Sequence, residues 1–219
     1  MRLRRIPRAS EIIASRPDLA VVGGAFLKGK WQQIFEKSQP LHIEIGMGKG
    51  GFINEMARKY PEINFIGIEL YDSVLLRALE KLDQKPLPNL RLLHANAADL
   101  KDIFAKEEIS KIYLNFSDPW PKNRHEKRRL THENFLKIYQ EILKKEEKIQ
   151  LKTDNQSLFE FSLTSFNQFG MIFSDISVDV HATKERYPEN VMTEYEQKFH
   201  ELGNPIYLVE AFFQKSQEM

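Results

Sequence analysis

The sequence predicts an α/β protein with a doubly wound, mostly parallel sheet that ends in an antiparallel pair of strands. Short β-rich runs alternate with segments of helical periodicity, the runs are apolar almost throughout, and a long polar segment joins the last two runs. Alternating strands and helices give parallel pairing, and strands without a polar face are covered by helices on both sides. No repeat, low-complexity linker or change in composition marks a boundary, so we expect a single domain over residues 1–219.

The predicted elements follow in order along the chain. Five strand-like runs come first: LHIEIG (41–46), INFIGIEL (63–70), LRLLHAN (90–96), KIYLNFS (111–117) and KIQLKT (148–153). The helical segments among them are GGFINEMARK (50–59), SVLLRALEKL (73–82), THENFLKIYQEILKK (131–145) and NQSLFEFSLTSFNQF (155–169). Residues 171–180 and 205–213 are predicted as the antiparallel pair, with an elaborated loop between them. Residues 1–40 are expected to form an arm plus a helix near Trp31.

Composition excludes several classes of protein. The chain has no cysteine, which excludes disulfides, thiolate zinc sites, iron–sulfur clusters and a cysteine nucleophile, and no metal site is expected. The longest uncharged apolar stretch, residues 20–27, is far shorter than the ~20 residues that span a bilayer. The N-terminal MRLRRIPR has the charge of a signal peptide, but no apolar stretch follows it. We therefore expect a soluble, cytoplasmic protein without membrane contact.

The charge is small overall and unevenly distributed. The net charge is +1, yet MRLRRIPR (1–8) and KNRHEKRR (122–129) each carry +4, so the other 203 residues sum to −7. Basic patches on an acidic body are typical of a protein that contacts a phosphate backbone locally. A solvated loop and a frayed terminus would explain the same pattern without a partner.

Polar side chains stand where the predicted strands end. They are Glu44 with the glycines that follow it, Glu69, Asn96 with Asp99, Asp118, and Asp154. Ligands of an open parallel sheet bind at the carboxyl ends of its strands. Helix capping or a solvated edge explains any one of these residues, whereas five in register favour a binding site.

The glycine cluster fits two ligand classes. Gly46, Gly48 and Gly51 match the dinucleotide pattern G-x-G-x-x-G, while Gly46, Gly48 and Gly50 match E-x-G-x-G-x-G. The first pattern implies a pyrophosphate, as in a nicotinamide dehydrogenase, and the second implies S-adenosylmethionine, which has no phosphate and carries an ammonium and a sulfonium. Glu44 would repel a pyrophosphate and attract a cation. The sequence therefore favours S-adenosylmethionine as the cofactor.

The residues at two further strand ends can form hydrogen bonds with adenosine, which both candidate ligands contain. Glu69 is predicted to accept hydrogen bonds from the ribose hydroxyls, each worth ~1.5–3 kcal/mol when the acceptor is charged. Asn96 offers both a donor and an acceptor and is predicted to contact the adenine edge. A structural amide is the alternative for Asn96.

The segment FSDPWPKNRHEKRR (116–129) is the most specific in the chain. Pro119 and Pro121 fix two backbone angles and stiffen the loop around Asp118 and Trp120. An acid and an indole bordered by cations suit an extruded base whose flanking phosphates must be held. The loop also resembles, with altered order, the D/N-P-P-aromatic loop of enzymes that methylate exocyclic amines, which leaves that reaction as an alternative.

Taken together, EIGMGKG, IGIEL, FSDPWPKNRHEKRR, LKTDN and MTEYE, in this order from residue 44 to 196, resemble the bacterial tRNA (guanine-N(7))-methyltransferase family. The resemblance covers most of the chain. It implies a Rossmann-like methyltransferase fold, S-adenosylmethionine as cofactor, and tRNA as a substrate that is methylated at guanine N(7) in its variable loop.

The resemblance also implies roles for individual residues. Cofactor contacts are implied for Glu44, Glu69, Asn96 and Asp118, and Asn96 stands where many members have aspartate. Contacts to tRNA are implied for Arg124, His125, Lys127, Arg128 and Arg129. Contacts to the target nucleoside are implied for Lys122, Asp154, Thr193, Glu194, Tyr195 and Glu196. Helix capping competes with two of these roles, because Asp154 precedes a predicted helix and Thr193 to Glu196 form a capping-box pattern.

The implied reaction needs no general base, because guanine N(7) already presents a lone pair. Catalysis is then expected from alignment of the reactants, which supplies ~7–11 kcal/mol, and from a carboxylate near the charge that develops on the base. Asp118 is the predicted catalytic residue, and Asp154 is the second choice. A methyltransferase for exocyclic amines and a non-catalytic RNA-binding subunit stay open as alternatives, and the chain is expected to act as a monomer or homodimer.

Overall fold

The computed structural model describes residues 6–214, and within them it contains an eight-stranded sheet. The strands are β1 (Ala20–Val22), β2 (Leu41–Ile45), β3 (Asn64–Glu69), β4 (Leu90–His94), β5 (Ile109–Asn115), β6 (Leu143–Thr153), β7 (Met171–Ser177) and β8 (Tyr207–Phe213). Their order across the sheet is β1-β4-β3-β2-β5-β6-β8-β7. Arg2, Arg4 and Arg5 of the N-terminal basic segment lie outside the described residues.

The sheet is parallel from β1 to β6 and antiparallel at its end. β8 runs antiparallel to both β6 and β7, as the sequence predicts. β2 lies in the middle, and the chain proceeds from it to β3 and β4 on one side and to β5 and β6 on the other. This arrangement is doubly wound, so the predicted fold class is confirmed, and it creates a switch point next to β2.

Helices cover both faces of the sheet. They are α1 (Ala9–Ala14), α2 (Gly51–Lys59), α3 (Asp72–Gln84), α4 (Leu100–Ile103), α5 (Glu133–Ile142), α6 (Gln156–Gln168) and α7 (Glu194–Glu201). Ile43 and Ile112 point into the apolar layer beneath α5 and α6, whereas Tyr113, the residue after Ile112 on β5, points into the layer beneath α2 and α3. Alternation along each strand thus places successive residues in different layers.

The N-terminal region contains a strand that the sequence did not predict. Val21 of β1 pairs with Leu93 of β4 and extends the parallel sheet by one strand. The expected helix near Trp31 is a single 3-10 turn over Trp31–Ile34, and the Trp31 indole is fully buried with its Nε1 donating to the Ile103 carbonyl at 3.0 Å. A three-residue strand followed by two glycines is too short for a periodic signal.

The predicted helix over residues 131–145 ends early. α5 stops at Ile142, because Leu143 already pairs with Ile109 on β5. The pairing resumes only at Lys148, and the residues between bulge outward, with Glu146 at a φ of 64°. β6 therefore begins five residues before the predicted strand.

Candidate active site

The candidate site lies at the carboxyl ends of β2, β3 and β5, beside the switch point of the sheet. Glu44 is near the end of β2, Glu69 is the last residue of β3, and Asp118 follows β5 by three residues. Besides burial, the charge of Glu69 raises the pKa of Glu44, and the charge of Asp118 raises the pKa of Glu69. The fold therefore brings these three carboxylates together at one edge.

Glu44 is a buried carboxylate with one unused oxygen. Its side chain is 2% exposed, and its Oε1 accepts a hydrogen bond of 2.9 Å from Nδ2 of Asn115. Its Oε2 forms no hydrogen bond to any other residue in the range 6–214. Burial raises the pKa of Glu44 to about 8, although the Asn115 hydrogen bond, the charge of Lys152 and the nearby backbone N–H of Ile53 act in the opposite direction. A cationic ligand group would supply the interaction that this carboxylate lacks.

The glycine turn after β2 leaves open space next to Glu44. Gly46 and Gly48 have φ values of 76° and 59°, a conformation that glycine adopts without strain, and a Cβ at either position would meet no atom within 4 Å. Gly50 differs, because a Cβ there would lie 3.2 Å from the Cβ of Ala78 on α3. Gly46 and Gly48 thus border the open space, whereas Gly50 lets α2 start close against α3.

Glu69 fixes the glycine turn and keeps acceptor capacity. Its Oε1 accepts from the backbone N–H groups of Leu70 and Tyr71 at 2.9 and 3.0 Å, and its Oε2 accepts from the N–H of Gly48 at 3.1 Å. Burial raises the pKa of Glu69, and these backbone hydrogen bonds partly oppose that effect. A carboxylate has about four lone-pair positions, so Oε2 can accept a further hydrogen bond.

Asn96 lies at the end of the next strand and is exposed. Its Oδ1 accepts from the backbone N–H of Ala98 at 3.0 Å, which caps the 3-10 turn over Ala97–Asp99. Within the described part of the chain the amide nitrogen of Asn96 donates to no acceptor, so both of its hydrogens are available to a ligand. The structural role and the predicted adenine contact are therefore compatible.

Asp118 is exposed on a loop that an arginine holds in place. Phe116 and Trp120 on either side of Asp118 have positive φ values of 50° and 42°, which are unusual for aromatic residues. Arg129 donates from Nε to the carbonyl of Pro119 at 3.1 Å and from Nη2 to the carbonyl of Trp120 at 3.2 Å. These hydrogen bonds stabilise a strained conformation.

The basic segment forms a 3-10 turn over Asn123–Arg128 next to this loop. Four of its cations are exposed: Lys122, Arg124, Lys127 and Arg128. Arg128 also places its guanidinium 4.8 Å from the centre of the Trp120 ring, and the His125 ring lies 5.7 Å from the same ring. The exposed cations can reach phosphates, whereas Arg129 is already bound to the loop.

Asp154 follows β6. It is not the residue that caps α6, so the capping role that competes with ligand binding belongs to another residue. The N-cap of α6 is Asn155, whose side chain accepts from the backbone N–H of Leu158 at 2.8 Å. Asp154 is half-buried, and its carboxylate makes no hydrogen bond within residues 6–214. The capping interpretation of Asp154 was wrong, and its side chain is available to a ligand.

The capping box at the start of α7 is present. Thr193 Oγ1 accepts from the backbone N–H of Glu196 at 2.8 Å, and Oε2 of Glu196 accepts from the backbone N–H of Thr193 at 3.4 Å. Glu196 is fully buried and forms an ion pair with Lys152. Of the four residues from 193 to 196, Glu196 is the one with no surface to offer a nucleoside.

Glu194 and Tyr195 lie on the exposed side of the same turn. Glu194 pairs with Lys81 at 2.6 Å, and this hydrogen bond lowers its pKa. The Glu194 side chain also lies above Gly51, where an added Cβ would come within 3.4 Å of it. The Tyr195 ring, 53% exposed, is stacked with Phe116 at a centroid distance of 6.5 Å. The start of α7 therefore bridges the glycine turn and the Asp118 loop.

Sequence reasoning missed two polar residues of this region. Asn115 holds Glu44, and the buried Lys152 holds Glu196. Asn115 is the last residue of β5 and Lys152 is the next to last of β6, and both are buried. Their partners, Glu44 and Glu196, lie 71 and 44 residues away in sequence, so no local pattern indicates these contacts.

Comparison with known proteins gives consistent relatives. A family described as "Putative methyltransferase" matches residues 38–209. A tRNA (guanine-N(7)-)-methyltransferase from Geobacillus sp. (strain WCH70) is 54% identical over 211 residues, which cover 96% of this chain and 95% of that protein. The protein of the same name from Geobacillus thermodenitrificans (strain NG80-2) is also 54% identical, with 96% and 97% covered.

Solved structures share the fold at much lower identity. The chain superimposes on the structure titled "Structure of an Antibiotic Related Methyltransferase" with a TM-score of 0.62 at 18% identity, covering 84% of this chain and 94% of that one. This similarity concerns the fold alone. Within residues 6–214, no helix is long and apolar enough to cross a membrane, and no group of His, Cys, Asp or Glu side chains could hold a metal ion.

Proposed function

The chain belongs to the tRNA (guanine-N(7)-)-methyltransferase family, and from this membership we propose how its residues carry out the reaction. The enzyme transfers a methyl group from S-adenosylmethionine to N(7) of a guanine in tRNA. Family membership selects this function over an exocyclic-amine methyltransferase, a non-catalytic RNA-binding subunit and a nicotinamide dehydrogenase.

One observation supports the cofactor assignment best. A buried carboxylate with an unpaired oxygen, Glu44, lies beside a glycine turn with open space and near a second carboxylate, Glu69. S-adenosylmethionine, when bound, supplies a methyl group on a positively charged sulfur and carries a second positive charge on its amino group. Two neighbouring carboxylates favour such a ligand and disfavour a pyrophosphate.

The residues that hold the cofactor divide by the chemistry they offer. We assign Glu44 to its cationic groups, Glu69 to the ribose hydroxyls and Asn96 to the adenine edge. Gly46 and Gly48 admit the ligand close to the backbone, and Gly50 sets the start of α2. Asp118 lies near Glu69 and completes the acidic edge.

The target nucleoside is assigned to side chains around Asp118. Lys122 and Asp154 are exposed or half-buried and have no internal partner within the described residues, so they are available to the base and its sugar. Thr193, Glu194 and Tyr195 approach from the start of α7. We assign the flanking phosphates to Arg124, Lys127 and Arg128, with His125 as a polar neighbour, since charged contacts of this kind position a nucleic acid.

Asp118 is assigned the catalytic role. Guanine N(7) needs no deprotonation, so Asp118 acts as a fixed negative charge that stabilises the positive charge developing on the base. The loop geometry suits this role, because Arg129 holds the backbone on the side of Pro119 and Trp120 and limits the movement of the carboxylate. Positioning of this kind is the main contribution expected of the protein.

Several broader features complete the proposal. The candidate residues all come from one chain, so a monomer or a homodimer would have one complete site per chain. We place the methylated guanine in the tRNA variable loop and the reaction in the cytoplasm. We assign residues 1–219 to a single methyltransferase domain, whose described N-terminal residues 6–40 contribute α1, β1 and the 3-10 turn at Trp31.

The test is incubation of the protein with methyl-labelled S-adenosylmethionine and unmodified tRNA, followed by chemical cleavage at 7-methylguanosine. The expected product is a labelled tRNA that is cut at one guanine, and Asp118→Asn should give little product at the same protein concentration. Label on an exocyclic amine would overturn the proposal. So would the absence of label on the tRNA when the protein is shown to bind S-adenosylmethionine.

A further inference from the structure

A buried lysine, Lys152, has all of its hydrogen-bonding capacity taken up by one segment of the chain. Its side chain is fully buried near the end of β6. The ammonium donates to Oδ1 of Asn190 and to the carbonyl of Val191, both at 2.9 Å, and to Oε2 of Glu196. An ammonium has three hydrogens, so all three are used between residues 190 and 196.

The partner carboxylate is equally occupied. Besides Lys152, Glu196 accepts from Nδ2 of Asn190 at 2.7 Å and from the backbone N–H of Thr193 at 3.4 Å. Nε2 of His181 lies 3.2 Å from Oε1 of Glu196 without hydrogen-bond geometry. Because both oxygens of Glu196 are engaged and none of its surface is exposed, Glu196 acts inside the protein and not on the substrate.

The ion pair lies next to the cofactor side of the site. Lys152 is the register partner of Asn115, which in turn holds Glu44. Burial lowers the pKa of Lys152, while the charges of Glu196 and Glu44 oppose that shift. The ammonium of Lys152 therefore lies near two carboxylates: that of Glu44, at the proposed cofactor site, and that of Glu196, in the segment proposed to meet the substrate.

A buried ion pair is a costly way to gain stability, because desolvation of both charges offsets much of their attraction. Well-packed apolar residues would hold the strand and the segment together at least as well. What the pair adds is a unique geometry: three hydrogen bonds from one atom fix residues 190–196 relative to β6. The segment so fixed carries Thr193, and Tyr195 on its outer side stacks on Phe116 next to Asp118.

We propose that Lys152, with Glu196 as its partner, is a positioning residue for methyl transfer that fixes the segment 190–196 so that Thr193 and Tyr195 meet the target guanosine. The inference rests on the proposed function of the site. It assigns Glu196 an internal role in place of the direct substrate contact that the family resemblance implies. Phosphate contacts do not depend on the pair, and the cofactor site is linked to it only through the charge of Lys152 near Glu44.

The test is steady-state kinetics of the Lys152→Met/Glu196→Gln double variant, in which no unpaired charge is left buried. Lys148→Met is the matched control, since Lys148 lies on the same strand and pairs with Glu210 away from the site. We expect kcat to fall about 100-fold, the size of effect that a misplacement of about 1 Å produces. With S-adenosylmethionine at saturating concentration, the KM for tRNA should stay within a few-fold of wild type, and Lys148→Met should behave like wild type.

Amide hydrogen exchange supplies the second readout. In the double variant, the backbone N–H groups of residues 190–197 should exchange faster while those of β2 and β5 keep their protection. A folded double variant with wild-type kcat would overturn the inference, because the pair would then serve folding only. If the double variant does not fold, Asn190→Leu takes its place, because it removes one hydrogen bond from each partner without burying a free charge. Wild-type kcat in Asn190→Leu would equally overturn the inference.

Failure of the inference and failure of the proposed function are distinguishable. Mapping of the methylated atom on tRNA treated with wild-type protein tests the function by itself. If the wild type modifies guanine N(7) and the variants keep kcat, only the role of Lys152 is rejected. If the wild type modifies another atom, the proposed function is rejected whatever the variants do.

Discussion

Asn115 donates a hydrogen bond of 2.9 Å to Oε1 of Glu44, and Oε2 of the same buried carboxylate is left without a partner within residues 6–214. The two residues lie on neighbouring strands that flank the switch point of the sheet. Asn115 fixes the orientation of the carboxylate but satisfies only half of it. A buried carboxylate with one unpaired oxygen lowers the stability of the folded protein, but it can bind a cation. Such a loss of stability is common at functional sites.

Replacement of Glu44 by glutamine should raise the stability of the ligand-free protein at alkaline pH. With its pKa raised to about 8 in the folded protein, against an ordinary value of 4.5, Glu44 keeps a proton that the unfolded chain loses. The folded state therefore binds more protons between these values, and its stability falls as the pH rises through this window. The difference in Tm between Glu44→Gln and wild type should be near zero at pH 4.5 and grow until pH 8.

Thermal unfolding followed by circular dichroism across this pH range measures the effect. Glu62→Gln is the matched control, because Glu62 is exposed. A Tm difference between Glu44→Gln and wild type that does not change with pH would contradict the account.

Cofactor affinity should depend on pH through the same residue. Bound S-adenosylmethionine requires ionised Glu44, so below pH 8 binding must release a proton. We expect the affinity to rise by up to about tenfold per pH unit from pH 6 to 8, as one released proton requires, and to do so much less in Glu44→Gln. Isothermal titration in two buffers of different ionisation enthalpy measures proton release directly. Equal heats in both buffers at pH 6.5 would speak against this prediction.

Asp118→Asn should lose turnover, because the proposed role of Asp118 is a fixed negative charge near the target base. Removal of a fixed charge that stabilises the transition state costs on the order of 10²–10³ in kcat. Asp102→Asn, an exposed change on α4, should leave kcat unchanged. Steady-state kinetics of both variants with tRNA measure the effect. A kcat of Asp118→Asn close to that of wild type would contradict the assignment of Asp118 as the stabilising charge.

Arg128 and Arg129 are neighbours in sequence, but their replacement by alanine should change different properties of the enzyme. Arg128 is exposed, so Arg128→Ala should weaken tRNA binding and reduce the slope of log affinity against log salt concentration by about 0.7–0.9. Arg129 donates to two loop carbonyls, so Arg129→Ala should lower kcat and leave that slope unchanged. Filter binding of tRNA at several salt concentrations measures this slope for both variants. The opposite pattern would reject the assignment of the exposed cations to phosphates.

Asp154 and Asn155 offer a second adjacent pair. Asn155→Ala removes the cap of α6 and should cost about 1 kcal/mol, which lowers Tm by about 2–4 °C in a domain of this size. Asp154→Ala should leave Tm unchanged and lower kcat/KM for tRNA. Melting curves and kinetics of both variants check the assignment. If Asp154→Ala melts early and keeps full kcat/KM, Asp154 is a structural residue only.

The sequence predicted the fold class and the edge of the sheet at which the site lies. The signals for both features are local. Strand–helix alternation forces parallel pairing, and parallel strands bring Glu44, Glu69 and Asp118 to the same edge whatever the details of packing. The glycine turn was predicted for the same reason, since its residues are consecutive. These features needed no knowledge of distant contacts.

The features that escaped prediction depend on contacts between distant parts of the chain. β1 is recognisable only through its pairing with β4, and the early end of α5 follows from the pairing of Leu143 with Ile109. Asn155, and not Asp154, caps α6, a choice between adjacent residues that backbone geometry makes. The burial of Glu196 against Lys152, 44 residues away, has no signal in the motif that contains Glu196.

The central claim is that the carboxylates at one edge of the sheet bind a cationic methyl donor. Isothermal titration of S-adenosylmethionine into wild type and into a Glu44→Gln/Glu69→Gln double variant tests it most directly. We expect one binding site per chain in the wild type and an affinity at least about 100-fold lower in the folded double variant, since two charge-assisted interactions are lost. Equal affinity of the two folded proteins would contradict the account.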